Sequence, residues 1–511
     1  MTHAHPAPAQ TKAPSPKADM GAASSPAASV AAPSETGAAN GLGLAGLTTM
    51  VVTTCVGAGI FSLAGDLAQG GANTAAVLVS WAICFVGVLA LAKTFSGLSN
   101  VRPELAGGIY AYAAEFGDYV GFSSAWGYWL SACLNNAGYG VMLFSALSYF
   151  FPVFEGGNNV PAIACASVFL WLLARLLSRG VSLAAGVNLV ITLAKLVPLA
   201  LFILCVPLLA KFDVSVFLDN FWGEPGGLGF GEQVNSTMVS LVWLFVGLEG
   251  AVVVSGRARD VRDVSRATSI GFVLVVVFYV LISVLSLGVM TRAELATLST
   301  PSLAGVFERV IGPAGAAIVN GGVVVSLMGT MIGYLTFASE TSHQAARRGI
   351  FPPALARENA RGTAVVTTVL SAAVTQAFFV LSLFASSTYQ FFYTCSVYAI
   401  LIPYACSSLY YAIAAWRNDR MGGALAPRLG AARLFGTLAF IYVIYLVWSS
   451  GTACLTVMTI AIAPGFVVYT LTRRSQGKPL FPEVADVMFA LFVVAAIVST
   501  VALALTGGLS L

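Results

Sequence analysis

Charge is what this 511-residue chain has least of: Asp, Glu, Lys and Arg together make up 9% of it, against about a quarter in an average soluble domain. So little charge cannot clothe a water-facing surface of this size, and a soluble globular protein is excluded. Histidine is nearly absent as well. The three are His3 and His5 near the start and His343 in an expected loop, so histidine-centred metal or nucleophile chemistry inside a membrane has no residues to use. An embedded enzyme of that kind is excluded with it. The eight cysteines, at 55, 84, 133, 165, 205, 395, 406 and 454, fall in apolar stretches without paired spacing. They are small hydrophobes, neither a disulfide framework nor a metal site. No Gly-x-x-x-x-Gly-Lys-Ser/Thr occurs, which argues against an ATP-driven pump subunit. With no soluble signalling domain either, a receptor of transporter-like form would need a partner.

What fills the chain instead is apolar. Hydrophobic residues make up 58% and the mean hydropathy is +0.87, the composition of an all-α polytopic membrane protein. Crossing the hydrocarbon takes about 20 apolar residues. Thirteen stretches qualify: 43–67, 73–97, 119–150, 160–177, 181–209, 234–256, 268–290, 314–338, 364–386, 389–415, 433–450, 453–471 and 485–506. Before them, residues 1–40 are rich in Ala, Pro, Ser and Thr and lack any apolar core, so they read as a disordered cytosolic tail. They hold no apolar run before a cleavage site, and a secretory signal is not expected.

The loops say which way the chain is threaded. With the N-terminus in the cytosol, Lys and Arg gather on the cytosolic side; of the 25, only Lys211, Arg292 and Arg309 fall outside, and Lys195 lies within a span. That asymmetry is the positive-inside pattern. The arginine clusters are then topology signals on solvated loops, and no nucleic-acid partner is expected.

Two spans are interrupted. The sixth carries Gly247-Leu248-Glu249-Gly250 in its middle. A carboxylate at that depth costs about 2.5–3.5 kcal/mol to insert, so it faces protein or water and marks a pathway. Glu249 is a functional-site candidate on this ground, with a structural clamp between helices as the ordinary alternative. The first span repeats the oddity at Val56-Gly57-Ala58-Gly59-Ile60-Phe61. Non-helical backbone in a membrane is tolerated where it is buried in protein or lines a cavity, and half-helix ends there are ready-made ligand groups. Breaks five spans apart, with an odd number of helices per half, are the pattern of an inverted repeat. The expected units are 41–210 and 232–415, each of five helices, followed by two or three additional C-terminal helices in 430–511.

Five stretches then occur in order between Gly43 and Tyr411: Gly57-Ala58-Gly59-Ile60-Phe61; Pro103-Glu104-Leu105-Ala106-Gly107-Gly108-Ile109-Tyr110-Ala111-Tyr112; Gly127-Tyr128-Trp129-Leu130 through Asn135-Asn136; Trp243 through Gly250 with Val254-Ser255-Gly256-Arg257-Ala258-Arg259; and Arg348-Gly349-Ile350-Phe351-Pro352-Pro353 with Glu358-Asn359. Together they resemble the amino acid–polyamine–organocation superfamily, and within it the basic amino acid/polyamine antiporters, most of all arginine/ornithine and arginine/agmatine exchangers. The helices after Tyr411 match in hydropathy only.

The resemblance implies a leucine-transporter-like fold that holds substrate between spans one, three, six, eight and ten. By position, the backbone N–H groups of Ala58, Gly59 and Ile60 would bind the substrate carboxylate, which suits the positive end of a half-helix. Carbonyls near Val246 and Gly247 would take the α-amino group. Trp243 matches the aromatic gate, Glu249 the gating carboxylate, and Asn136 the asparagine that bonds the substrate's head group. Two departures stand out. Ala58 replaces a serine common in these exchangers, and Tyr334 stands where arginine exchangers offer a tryptophan to stack on guanidinium, so the side-chain pocket differs. Asn136 has an ordinary alternative as an interhelical hydrogen bond. For Glu340, near the cytosolic end of the eighth span, capping or pairing with Arg347 or Arg348 is the preferred account.

Lys195 is the remaining oddity. In some relatives a lysine of the fifth span sits where sodium binds in sodium-coupled cousins, so it reads either as a proton switch or as a fixed structural cation, with snorkelling from a helix end as the ordinary account. The expected activity is exchange of cationic amino acids by alternating access, arginine against ornithine, at the cell membrane. The alternatives are a proton-coupled amino acid symporter and a lysine- or histidine-type amino acid–amine exchanger. No cofactor and no metal are expected. Partners are small cationic amino acids and membrane lipid, with a homodimer as the assembly to test.

Overall fold

In hydrocarbon every backbone N–H and C=O must find its partner within the protein, so runs of apolar residues fold as helices. The computed structural model describes residues 44, 48, 52, 56–102, 105, 109–180, 185–247, 261–384, 388–417 and 429–505, and among these it contains seventeen α-helices and no strand. The first span is present as α1 (Leu63–Gln69) after a short 3-10 turn, and the second as α2 (Thr74–Val101). A short α3 (Tyr110–Ala113) leads into α4 (Asp118–Ser148), α5 (Val160–Ser178) and α6 (Ala185–Leu208), which are spans three to five. A brief α7 (Val214–Leu218) precedes α8 (Phe230–Trp243), the first part of span six, and α9 (Val261–Val289) is span seven. Two short helices, α10 (Arg292–Ala296) and α11 (Ser302–Ile311), precede α12 (Pro313–Arg347). The last five are α13 (Val365–Ser382), α14 (Thr388–Arg417), α15 (Leu429–Ser449), α16 (Gly451–Ser475) and α17 (Val484–Leu505).

Ten of these helices are long and apolar enough to cross a bilayer, α17 among them. The three expected spans outside that set are the first and sixth, which are broken, and the third, α4. With 31 residues α4 is long enough, but it is rich in Ser, Asn, Gly and aromatics. It affords this polarity because it runs through the middle of the bundle, buried along nearly its whole length and packed on α12, α13 and α14. Its polar groups find partners there: Trp129 Nε1 donates to Ser371 Oγ of α13 at 2.9 Å, and Ser131 Oγ lies 2.8 Å from Ser396 Oγ of α14. Such interhelical bonds between small residues hold helices together where the hydrophobic effect gives no preference.

The last two helices grip α4 from its N-terminal end. Asp486 of α17 is fully buried and its Oδ1 accepts from the backbone N–H of Tyr119 at 2.8 Å and of Val120 at 3.2 Å, while Oδ2 accepts from Asp118 N at 3.2 Å. These are N–H groups that the first turn of a helix leaves without intrahelical partners. Arg473 of α16 pairs with Asp118 at 2.7 Å. A helix capped by a carboxylate from elsewhere in the chain is thereby fixed in height and tilt.

At the other end of the bundle, the segment between α7 and α8 folds over α1. Arg292 donates to both carboxylate oxygens of Glu224, at 2.9 and 2.6 Å, and to the carbonyl of Ala68 at 3.3 Å. Ser302 Oγ accepts from Gly65 N and donates to Ser62 O, each at 3.0 Å. Two sequence expectations are corrected here. The eighth span does not stop near residue 338 but continues as helix to Arg347, because the polar residues of its last turns still pack on protein. His343, expected in a loop, is therefore helical and buried, with Nε2 2.9 Å from Glu358 Oε1. The seven cysteines among the described residues are all free. Residues 1–40, Cys55, Pro103-Glu104, Ala106 to Gly108, and Leu248 to Asp260, which include Glu249, Gly250 and Val254 to Arg259, lie outside the described residues.

Candidate functional site

The first span is broken as expected, and the sixth leaves helix before its glycine pair, the residues beyond Gly247 lying outside the described ones. In the first span the chain is non-helical at Val56 and Gly57, makes a 3-10 turn over Gly59–Phe61, and resumes as α1. The N–H groups of Ala58, Gly59 and Ile60 have no backbone partner among the described residues, as the start of a half-helix requires. In the sixth span α8 stops at Trp243, a turn before the glycine pair that marked the break in sequence. The chain then turns with Phe245 N bonded to Val242 O at 2.9 Å and Val246 N to Trp243 O at 3.2 Å. It reaches Gly247 with φ +98°, in a region that L side chains rarely adopt.

The two breaks face one small cavity of about 50 Å³. Gly57, Ala58 and Gly59 line it from the first span, and Trp243, Leu244 and Val246 from the sixth. Tyr139 of α4, Lys195 of α6, and Thr330 and Tyr334 of α12 complete the wall. The structure thus brings together Ala58, Gly59, Trp243, Val246, Tyr334 and Lys195, which the sequence singled out from four separate stretches. Ile60 is buried beside them, and Gly247 lies close to the Tyr334 hydroxyl. The cavity is far below the roughly 300–1,000 Å³ of a typical small-molecule site. Admitting an amino acid requires a wall to move.

Trp243 is that wall's largest piece. Its ring packs on the backbone of Gly59 so closely that a Cβ added there would collide with Cζ3. Tyr393 stacks on it at 5.0 Å, Tyr389 meets it edge-on at 5.7 Å, and Tyr139 lies at 6.1 Å. The indole Nε1 donates to Asn135 Oδ1 at 2.7 Å. An aromatic gate held by one hydrogen bond and three rings is positioned without being covalently fixed.

Asn136 is not in the cavity wall. It is 1% exposed, and among the described residues neither its Nδ2 nor its Oδ1 has a hydrogen-bond partner. Its neighbour Asn135 makes the contact to the gate instead. Tyr139 and Thr330 escaped the sequence reading, although helical spacing could have found both: Tyr139 lies four residues after Asn135, and Thr330 four before Tyr334. A much larger cavity, about 470 Å³, adjoins Glu340, His343 and Glu358. Among the described residues it receives none from either helix break, and the site is placed at the smaller one for that reason.

Residues 42–508 match the family model described as amino acid permease. An arginine/ornithine antiporter of Pseudomonas aeruginosa is 40% identical over 467 residues, covering 90% of this chain and 96% of that protein. An L-lysine transport protein of Corynebacterium glutamicum is 35% identical over 91% of this chain and 95% of its own length. An arginine/agmatine antiporter of Chlamydia trachomatis is 35% identical over 86% of this chain and 91% of its own.

Proposed function

Because the chain belongs to the amino acid permease family, a family of multi-pass membrane transporters and not of enzymes, we propose that it exchanges cationic amino acids across the cell membrane by alternating access. Arginine entering against ornithine leaving is the specific pair. The observation that carries this reading is the meeting of two broken helices, from spans far apart in sequence, at one small cavity covered by Trp243. Relatives that carry arginine, ornithine, agmatine or lysine by name support the cationic substrate. On this reading the N-terminus is cytosolic, the arginine-rich end of the bundle faces inward, and the end carrying Glu224 and Arg292 faces outward.

The substrate carboxylate would take the N–H groups of Ala58, Gly59 and Ile60, where half-helix ends concentrate positive potential. Its α-amino group would take carbonyls released by the turn at Val246 and Gly247. The aromatic rings of Tyr334 and Trp243 suit a guanidinium, with Asn136 reaching the head group once the wall has moved. Glu249 would respond to that movement from just beyond the turn. A second reading, proton-coupled symport, draws on one observation: Lys195 lines the same cavity and is only 9% exposed.

Liposomes containing the purified protein separate the two. Uptake of labelled arginine should require internal ornithine, lysine or agmatine and ignore an imposed proton gradient. Uptake into empty vesicles driven by an inward proton gradient would replace exchange with symport and give Lys195 the coupling role.

A further inference from the structure

One carboxylate in the spans has no part in the site described so far. Asp66 lies on α1, two turns beyond Gly59, and is 8% exposed. Among the described residues its side chain accepts a single hydrogen bond, a long one of 3.3 Å from Gln390 Nε2 at the start of α14. The same Gln390 nitrogen makes its shorter bond, 2.6 Å, to Gln69 Oε1. Arg292 of α10 is committed to Glu224 and the carbonyl of Ala68. Beside Asp66 two further buried hydroxyls face each other, Ser62 Oγ, one turn earlier on the same helix, and Tyr389 Oη, and neither has another partner among the described residues. Tyr389 also touches the gate, its ring edge-on to Trp243.

A buried carboxylate with one weak neutral donor is far from satisfied, and in a membrane span such a group is by default functional. What it lacks is a cation with several N–H donors. We propose that Asp66, Ser62, Tyr389 and Gln390 form an entry subsite on the outer side of the Trp243 roof that receives the guanidinium or terminal ammonium of an incoming cationic amino acid. The proposal rests on the reading of this chain as an exchanger of such amino acids with this end outward. A guanidinium offers five donors in a planar fork, enough for the carboxylate, the two hydroxyls and the Gln390 carbonyl, while the Tyr389 ring supplies a face for the charge. Gln390 is the cover: it closes Asp66 from the outside by neutral hydrogen bonds to Asp66 and Gln69, which a cation can displace. The incoming head group then stands next to Trp243 before the gate opens.

The test is sided transport. Arginine/ornithine exchange is measured in vesicles of each orientation, giving a KM for the outer and for the inner face. Asp66→Asn, close in shape but uncharged, should raise the outer KM about tenfold and leave the inner KM in place, with Asp66→Glu recovering most of the loss. An outer KM within twofold of wild type, or an equal rise on both faces, would overturn the subsite while wild-type exchange left the transport reading standing. Absence of arginine exchange in the wild type would overturn both. Should Asp66→Asn fail to fold, Gln390→Ala keeps the carboxylate and uncovers it: the outer KM should fall two- to threefold and rise with ionic strength, and a raised, salt-independent KM would sink the proposal.

Discussion

At the scale of single residues, Asn136 carries the sharpest test of the site. An amide sealed at 1% exposure with neither end bonded among the described residues costs about 1–3 kcal/mol for each unsatisfied group, and a protein retains such a cost where the group serves another state. Asn136→Leu, similar in volume and apolar, should therefore raise the melting temperature while increasing the KM for arginine at least tenfold. A thermal-shift assay and a transport assay on the same preparation check both. Unchanged transport would remove Asn136 from the substrate's path; a lowered melting temperature would show that its amide is paired after all. The sequence pointed to this position through a motif, and it also flagged Trp243. That Trp243 bonds Asn135 and not Asn136 depends on a rotation of about 100° around α4, which no spacing argument resolves.

At the scale of elements, α4 illustrates why hydropathy alone misjudges a helix. Its polarity excludes it from the apolar set, yet it is the most enclosed long helix of the bundle. Its height is set from a distance by Asp486, in a helix the sequence offered only as an addition. Removing that carboxylate leaves three backbone N–H groups without an acceptor. Caps contribute about 0.5–2 kcal/mol, and this one is buried and charge-assisted, so Asp486→Ala should cost about 2 kcal/mol or more and depress exchange with it. Asp486→Asn, which still offers an oxygen, should lose less. Equal melting temperatures for Asp486→Ala and wild type would show that α17 does not position α4. The breaks behaved differently: glycine pairs inside apolar runs announced them correctly, because few other residues tolerate such backbone. In span six the helix already ends a turn before Gly247, where Trp243 covers Gly59.

At the scale of the whole molecule, the small cavity and the outer covering belong together. The covering is tied by the Glu224–Arg292 pair, and the Arg292 hydrogen bonds hold the Glu224 carboxyl below the usual glutamate range. A depressed carboxylate stabilises the fold above its unfolded-state value and loses that contribution as pH falls through its folded value. Stability should consequently stay flat in this respect from neutral pH down to about 4.3, the ordinary glutamate value, and decline below it. Both side chains are partly exposed, so the contribution is at most about 1 kcal/mol. A Glu224→Gln variant followed by melting temperature against pH should show a shallower acid decline; an identical decline would mean the pair contributes nothing.

The amino-acid sequence by itself determined the solvent, the helical class, the approximate spans and the two breaks, because each follows from local chemistry: the cost of charge and of unpaired backbone in hydrocarbon. Only the tertiary structure decided which faces meet. It brought Tyr139, Lys195 and Thr330 to the cavity, left Asn136 beside it, hung α4 from Asp486, and set Asp66 against Gln390 more than three hundred residues away. Those choices turn on helix rotation and contacts between distant segments, and neither is encoded in the spacing of residues along one helix.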